Sequence, residues 1–472
     1  MNWLLLGIFG YLAIQLAIGI VVSRRIHTET DYILAGRSLG IGLASFSIFA
    51  TWFGAESIQG AAGTIYAEGL SGGSADPFGY VACILLVGLV FARPLWNRGF
   101  TTFGDLFRRR YSVLVERVAI LLMVPTSIFW GAAQVRAFGN VVSHASSLPI
   151  EWAITGAALF VVGYSTVGGL LADAWTDVVQ GIAVIVGLVV LAALLLASGT
   201  LQQAWTQVPA ARLSLLATDT PWYVTLEAWA VPVVGSMLAV EIISRVLGCR
   251  SAETARRACL VGGGIYLAVG LIPAVLGLCG PLLVPDLAEA EQLVPELARL
   301  HLGTVPYILF TGALISAILS TVDSILLAGS ALITHNVLLQ LRPDLSDRAK
   351  LRWSRAGVLA LGVLSWALAL TSESISSLVE YASAFGSAGI FVVATFGLFT
   401  SIGGTASALA SLATGMLVWA AGAFLLEWPA PYVTALIASL ATYLASAPFS
   451  PGTRLAPTGA TTGTASADVV PA

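Results

Sequence analysis

Apolar runs long enough to cross a bilayer recur along almost the whole chain, and this recurrence limits the fold more than any single motif does. The runs cover residues 2–22, 39–67, 77–97, 112–141, 150–168, 174–198, 222–247, 258–283, 302–336, 353–371, 375–400, 405–425 and 430–448. A hydrocarbon core about 30 Å thick is crossed by roughly 20 apolar residues in a helix. A spanning helix satisfies its own backbone, which lipid cannot do for it. An all-α polytopic membrane protein with thirteen transmembrane helices is therefore expected. Composition agrees: 57% of the 472 residues are hydrophobic and 10% are charged, against roughly 25% charged in a soluble domain. The net charge of −3 gives no electrostatic case for nucleic acid.

Arginine and lysine positions set the expected orientation. The first run has no basic residue before it and is followed by Arg24 and Arg25, the reverse of a cleavable signal. Starting outside and alternating, 19 of the 22 basic residues fall on the cytoplasmic side; only Arg136, Arg212 and Arg299 do not. That bias is what the positive-inside rule requires. The N-terminus is expected outside and the C-terminus in the cytoplasm. Residues 100–111 mix Phe103, Leu106 and Phe107 with three arginines and are expected to lie along the inner membrane surface. The Thr-, Ala-, Gly- and Pro-rich tail, 450–472, is expected to be disordered and cytoplasmic.

Glycine and serine interrupt two of these helices at mid-depth. One reads Ala50-Thr-Trp-Phe-Gly-Ala-Glu-Ser57 and the other Pro232-Val-Val-Gly-Ser236. Unwound backbone survives in a membrane only where it lines a cavity or holds an ion. The two interrupted helices are five apart, the spacing of an inverted repeat of helices 2–6 and 7–11.

Ionisable residues inside the bilayer are costly and mark function by default. Glu56, Arg136, Asp177, Glu241, Asp323 and Glu380 qualify. The ninth helix adds Ala317, Ser320, Thr321 and Ser324 at i, i+3, i+4 and i+7, hence on one face. Such a stripe offers oxygens to a hard monovalent cation; the competing reading is hydroxyls bonded to their own helix or gluing helices together. Asp177, Asp323 and Ser324, with Ser320, are candidates for a second cation site or for a proton-accepting pair. Glu56 is read as a substrate contact, against pairing with Arg136. Glu241 is either a substrate contact or the i,i+4 ion-pair partner of Arg245. Cys83, Cys249, Cys259 and Cys279 show no CxxC spacing and read as small hydrophobes. There is no HExxH, Walker or zinc pattern, so no enzyme is expected and no organic cofactor.

Several segments resemble the sodium:solute symporter family: Asp31-Tyr-Ile-Leu-Ala-Gly-Arg-Ser-Leu-Gly40, the broken helix from Ala50 to Gly69, Tyr164-Ser-Thr-Val-Gly-Gly169 with Ala174-Trp-Thr-Asp177, Ser244-Arg-Val-Leu-Gly-Cys-Arg-Ser251 and Ser320-Thr-Val-Asp-Ser-Ile-Leu-Leu327. The resemblance implies a LeuT-like 5+5 inverted-repeat fold with one extra N-terminal and two extra C-terminal helices. The implied layout is 1–38 for the extra helix and inner loop, 39–198 for the first repeat, 199–221 for an outer loop, 222–400 for the second repeat, 401–449 for the last two helices, then the tail. It implies sodium-coupled symport of a small polar organic solute by alternating access, in a bacterial inner membrane, by a monomer. Carried over by motif, the sodium ligands are Ala50, Phe53, Ala317, Ser320 and Thr321. The second site corresponds to Asp177, Asp323 and Ser324, with Asp323 replacing a serine of the family pattern. Glu56, Ser57, Gln59 and Glu241 are the implied substrate contacts. Proton-coupled symport through Asp323, Asp177 and Glu56, and a sensor built on a transporter fold, are the alternatives.

Overall fold

The computed structural model describes residues 10–455, apart from positions 12, 19–20, 23–25, 27, 147, 168, 218–219, 343 and 373. Among the described residues there is no β-strand, only an isolated bridge between Leu39 and Cys249. Among the described residues ten helices are long and apolar enough to cross a membrane, or eleven when the bent pair Ile41–Trp52 (α1) and Glu56–Glu68 (α2) counts as one span. The expected thirteen would also need the shorter apolar helix at Ile150–Gly163 and the first run. That first run lies largely outside the described residues, although positions 13–18 and 21–22 are helical. The tail from 456 onwards also lies outside them.

The remaining spans are Leu70–Asn97 (α3), Val113–Ser146 (α4), Ile150–Val167 (α5) and Leu170–Ala197 (α6). Next come Trp222–Ala230 (α7) and Val240–Gly248 (α8), the halves of a second interrupted helix, and Ala252–Leu283 (α9). Thr304–Ile333 (α10), Asp347–Thr371 (α11), Ile375–Ala384 (α12), Ser387–Phe399 (α13), Thr405–Ala420 (α14) and Pro431–Ser446 (α15) complete the set.

The helix α10 is the axis of the molecule. From Phe310 to Leu332 all but one of its side chains are buried, packed against α4, α6 and α11. A helix apolar all round belongs in the interior; the exceptions on α10 are hydroxyls and one acid, Asp323, so the polar groups of this helix face protein rather than lipid. Helices nearer the edge keep large apolar side chains exposed, such as Leu159, Val186 and Leu417, as a lipid-facing surface requires.

Each interruption has a local cause. Between α1 and α2 the chain bends by 63°; Phe53 leaves helical geometry at φ −95°, ψ 68°. At Gly54 a Cβ would lie 2.5 Å from Glu56 Oε2 and 2.8 Å from Gln134 Oε1 and Thr321 Oγ1, so a side chain there would push these polar groups aside. The chain between α7 and α8 passes through Val231–Gly235 and an extended Ala239. A third break was not expected: the run 375–400 divides at Phe385–Gly386, where Gly386 takes φ +67° with its α-carbon against Leu122. A run of apolar residues does not reveal a break that one glycine makes.

The segment at 100–111 differs from expectation as well. Its helix, Gly104–Arg110, turns Phe100, Phe103, Leu106 and Phe107 into the protein core, and Arg110 donates to the carbonyls of Ile402 and Gly403 at 3.0 and 2.9 Å. Its apolar face is covered by protein, which a surface-lying helix would instead offer to lipid.

Candidate functional site

The break between α1 and α2 frees backbone groups that must find partners inside the protein. Ser320 Oγ of α10 donates to the Ala50 carbonyl at 2.7 Å. Ser320 Oγ and Thr321 Oγ1 both lie 3.0 Å from the Ala317 carbonyl. Trp52's carbonyl accepts from Tyr266 OH at 3.2 Å and from Ser57 Oγ at 3.3 Å. The amide of Ala55 donates to Gln134 Oε1 at 3.1 Å. Ala50, Ala317, Ser320 and Thr321 thus come together as an all-oxygen cluster, with Gly54, next to the non-helical Phe53, close to Thr321. Rotating two hydroxyl hydrogens outward would turn these oxygens towards a monovalent cation, and a hard cation asks for oxygen donors.

Three of the four substrate residues expected from sequence lie in three different cavities. Glu56 lines a cavity of about 910 Å³, including its open mouth, together with Asp76, Tyr80, Glu227, Ser376 and Glu380. Glu241 lines a second, of about 520 Å³, with Trp130, Ser236, Ser383 and Phe391. Gln59 faces a third beside Asn140 and Thr311. Ser57 stands between Asp76, at 2.6 Å, and Tyr266, at 2.7 Å.

A partition separates the first two cavities. Tyr80 OH lies 3.3 Å from Ser383 Oγ, which accepts from Ser236 Oγ at 3.0 Å. Trp130 Nε1 donates to Glu56 Oε1 at 3.0 Å, and Gln134, one turn along the same helix, donates to Oε2 at 2.5 Å. The rings of Tyr80 and Trp130 each meet Trp52 edge-on at 5.6 Å. Tyr80 and the two carboxylates, Glu56 and Asp76, therefore line the first cavity, while Trp130, bonded to Glu56, lines the second.

Glu56 and Asp76 are 4% and 5% exposed, and among the described residues neither has a basic partner within ion-pair distance. Their hydrogen bonds come from neutral donors, and Asp76 Oδ1 has none. Glu56 does not pair with Arg136, which donates to the Ala369 carbonyl at 3.2 Å. Asp76 was missed in the sequence because it lies in Ser71-Gly-Gly-Ser-Ala-Asp-Pro77, which reads as a loop.

A second buried cluster surrounds Arg245. Its guanidinium is ion-paired with Asp173 and lies 3.7 Å from Asp177. It also donates to Ser324 and, from Nε at 3.3 Å, to Ser47. Ser47 Oγ donates to Asp177 Oδ2 at 2.6 Å, and Ser324 lies 3.1 Å from Thr51. Asp177 and Ser324 do meet, but around an arginine; Asp323 takes a different direction, accepting from Ser165 of α5. The i,i+4 pairing of Glu241 with Arg245 is not formed. Arg245 reaches only the Glu241 main-chain carbonyl at 3.4 Å, while the carboxylate accepts from Ser127 at 3.4 Å. Asp173, four residues before Asp177, is the partner the sequence reading overlooked; the i,i+4 spacing of two acids on α6 was the available signal.

Interrupted helices in a helical bundle, oxygens gathered at one break and a carboxylate-lined cavity beside it define a candidate binding site inside a membrane-spanning protein. The profile of the sodium:solute symporter family matches residues 32–415, and the chain belongs to that family. Among curated relatives, the high-affinity choline transporter 1 of Torpedo marmorata is 29% identical over 388 residues, covering 73% of this chain and 62% of the relative. The chain thus spans about three fifths of the length of the choline transporters it matches. The sodium/glucose cotransporter of Vibrio parahaemolyticus is 24% identical, covering 85% and 82%. Among solved structures, a Na+-coupled sialic acid symporter in a substrate-bound outward-open state aligns over 96% of this chain and 99% of its own, with a TM-score of 0.83 at 17% identity. A nucleobase-cation-symport-1 family transporter in a closed conformation aligns with a TM-score of 0.60 at 15% identity. The fold is the LeuT-like one expected from the sequence.

Proposed function

We propose that this chain is a secondary active transporter that couples the inward sodium gradient to uptake of a small organic cation. The observation that carries the sodium half is the hydroxyl of Ser320 on the Ala50 carbonyl at 2.7 Å, with Ala317 and Thr321 alongside. Ala50, Phe53, Ala317, Ser320 and Thr321 are the proposed ligands. Sodium bound there would cross-link α10 to the interrupted helix and hold the break in one conformation. Substrate binding next to the break would then depend on the ion, which is the linkage that symport needs.

The cation half rests on charge. Among the described residues, the cavity bordered by Glu56, Asp76, Glu227 and Glu380 has no lysine or arginine in its lining. A cation entering it meets carboxylates that carry no other counter-charge and the ring of Tyr80; aromatic rings attract cations through their quadrupoles. The choline transporters among its relatives support an ammonium as the cargo. Two helices whose outer turns line the mouth, α3 and α7–α8, carry Arg93 and Arg245 at their other ends; with the positive-inside rule this supports a mouth open to the outside and a cytoplasmic C-terminus. A bacterial inner membrane and a monomer remain the proposed setting.

The test is uptake of radiolabelled choline into proteoliposomes holding the purified protein. Accumulation driven by an inward sodium gradient and competed by tetramethylammonium, but not by glucose, is expected. Accumulation driven equally by a proton gradient in sodium-free buffer would overturn sodium coupling. Competition by glucose and not by tetramethylammonium would overturn the cationic cargo.

A further inference from the structure

The helix α11 carries three arginines and an apolar groove on one face. Leu359, Gly362, Val363 and Trp366 line a groove of about 800 Å³, including its open mouth, between α11 and α5. Arg355, Arg352 and Arg348 precede Leu359 by 4, 7 and 11 residues, spacings that put all three on the groove's stripe of the helix. The floor of the groove is a close approach of the two helices: a Cβ on Gly362 would lie 2.3 Å from Val162 Cγ2. Leu159, Leu359 and Val363 are exposed and form its walls. Trp366 Nε1 donates to Thr155 Oγ1 at 3.2 Å, bridging the helices at the end away from the arginines. At about 1.5 Å of rise per residue, Arg355 stands roughly 16 Å from Trp366 along the axis, close to the ~15 Å depth of one leaflet.

The positive-inside rule accounts for basic residues at this end of α11, but not for their alignment with the groove. Nor does the protein neutralise them. Lys350 has Asp347 at 3.9 Å. Among the described residues, Arg348, Arg352 and Arg355 make no ion pair. Arg348 and Arg352 are exposed; Arg355 is half-buried, its Nε enclosed and without a hydrogen-bond partner.

We propose that this face binds one anionic phospholipid from the leaflet on the arginine side. Its phosphate lies among Arg348, Arg352 and Arg355, and one acyl chain runs along the groove to Trp366. Guanidinium groups grip phosphate oxygens in pairs. Charge selects the headgroup, because a zwitterionic lipid returns a positive group to the arginines and phosphatidylglycerol does not. The apolar walls select a whole lipid, because a free phosphate ester leaves the groove unfilled. The two helices that the lipid joins both pack against α10, so it fastens two neighbours of the helix that carries the proposed sodium ligands. The site itself does not depend on the sodium reading.

Native mass spectrometry of the full-length chain in detergent, with melting temperature measured alongside, tests the site. Phosphatidylglycerol, phosphatidylcholine with the same acyl chains, and glycerol phosphate are added in turn. Wild type should retain one phosphatidylglycerol per chain, about tenfold or more over phosphatidylcholine, and should melt higher with it. Arg352→Gln, at an exposed position, should weaken retention. Arg348→Gln with Arg352→Gln and Arg355→Gln should abolish the preference. Val363→Trp fills the groove from its exposed side, keeps the arginines, and should also lose the lipid. A cooperative melting transition identifies the variants that are folded. Equal retention of the two lipids by wild type would overturn the proposal, as would undiminished phosphatidylglycerol on the folded triple variant or on Val363→Trp. Stabilisation by glycerol phosphate as large as that by the lipid would reduce the face to an anion site and overturn it too. So would a lipid-free dimer that Val363→Trp breaks, which would give the face to a second copy of the chain.

Discussion

Two buried acidic clusters flank the first broken helix, and the protein treats them in opposite ways. On one side Glu56 and Asp76 are almost wholly enclosed, receive hydrogen bonds only from Trp130, Gln134, Ser57 and Tyr266, and border an open cavity. On the other side Asp173 and Asp177 are equally enclosed but share one arginine. A buried carboxylate without a counter-charge is costly, so the first cluster suits the proposed cationic cargo, which would bring the charge. The second has its charge attached permanently. On the proposed reading, one cluster is a site for cargo and the other a fixed structural joint.

The comparison can be broken most sharply at Arg245. Replacing it with methionine in potassium buffer strands two buried acids, and a loss of about 3–5 kcal/mol in unfolding free energy is expected. Adding Asp173→Asn and Asp177→Asn should restore most of it. A single variant as stable as wild type would mean that the joint carries no weight. The next largest effect belongs to the other cluster. Asp76→Asn keeps the hydrogen bonds with Ser57 and Tyr266 but removes charge, so choline uptake should fall about 100-fold, or roughly 3 kcal/mol, with little change in stability. A large stability loss with unchanged uptake would make Asp76 structural, as Asp173 is.

Smaller changes sharpen the contrast. Trp130→Phe keeps a ring beside Trp52 but removes the N–H that holds Glu56. One lost hydrogen bond to a carboxylate is worth about 1.5 kcal/mol, so KM for choline should rise roughly tenfold at nearly constant kcat. At the cavity rim, Glu380→Gln should change uptake less than about threefold, and chiefly at low ionic strength, because rim charges steer more than they bind. An effect of Glu380→Gln as large as that of Asp76→Asn would move the cargo site outward.

Much of this arrangement was legible in the sequence where the signal was local. The stripe Ala317, Ser320, Thr321 lies within two turns of one helix, and helical periodicity alone puts it on one face. The break at Ala50–Ser57 was visible because glycine and polar residues interrupt an apolar run. The second cluster was harder. Arg245 has an acid four residues away, and local spacing favours Glu241; its actual partners are 72 and 68 positions distant on α6, and tertiary packing chose them over the neighbour. Asp76 was hidden by the glycines and proline around it, which read as a connection although the chain there enters a helix. The break at Gly386 was invisible for a different reason: a left-handed glycine inside an apolar run leaves hydropathy unchanged. Division of three of the expected substrate residues among three cavities depends on how the helices pack, which no single helix encodes.

The proposed coupling rests on the oxygens at the first break, which both clusters flank. The direct measurement is the melting temperature of the purified chain in sodium against potassium at fixed ionic strength. A protein that binds sodium only when folded gains RT ln(1 + [Na+]/Kd), about 2.7 kcal/mol at one hundred times Kd. The account predicts a melting temperature that climbs with sodium in wild type and stays flat in Ser320→Ala with Thr321→Ala. A wild-type protein that melts at the same temperature in both salts, or a double variant that still responds to sodium, would contradict it.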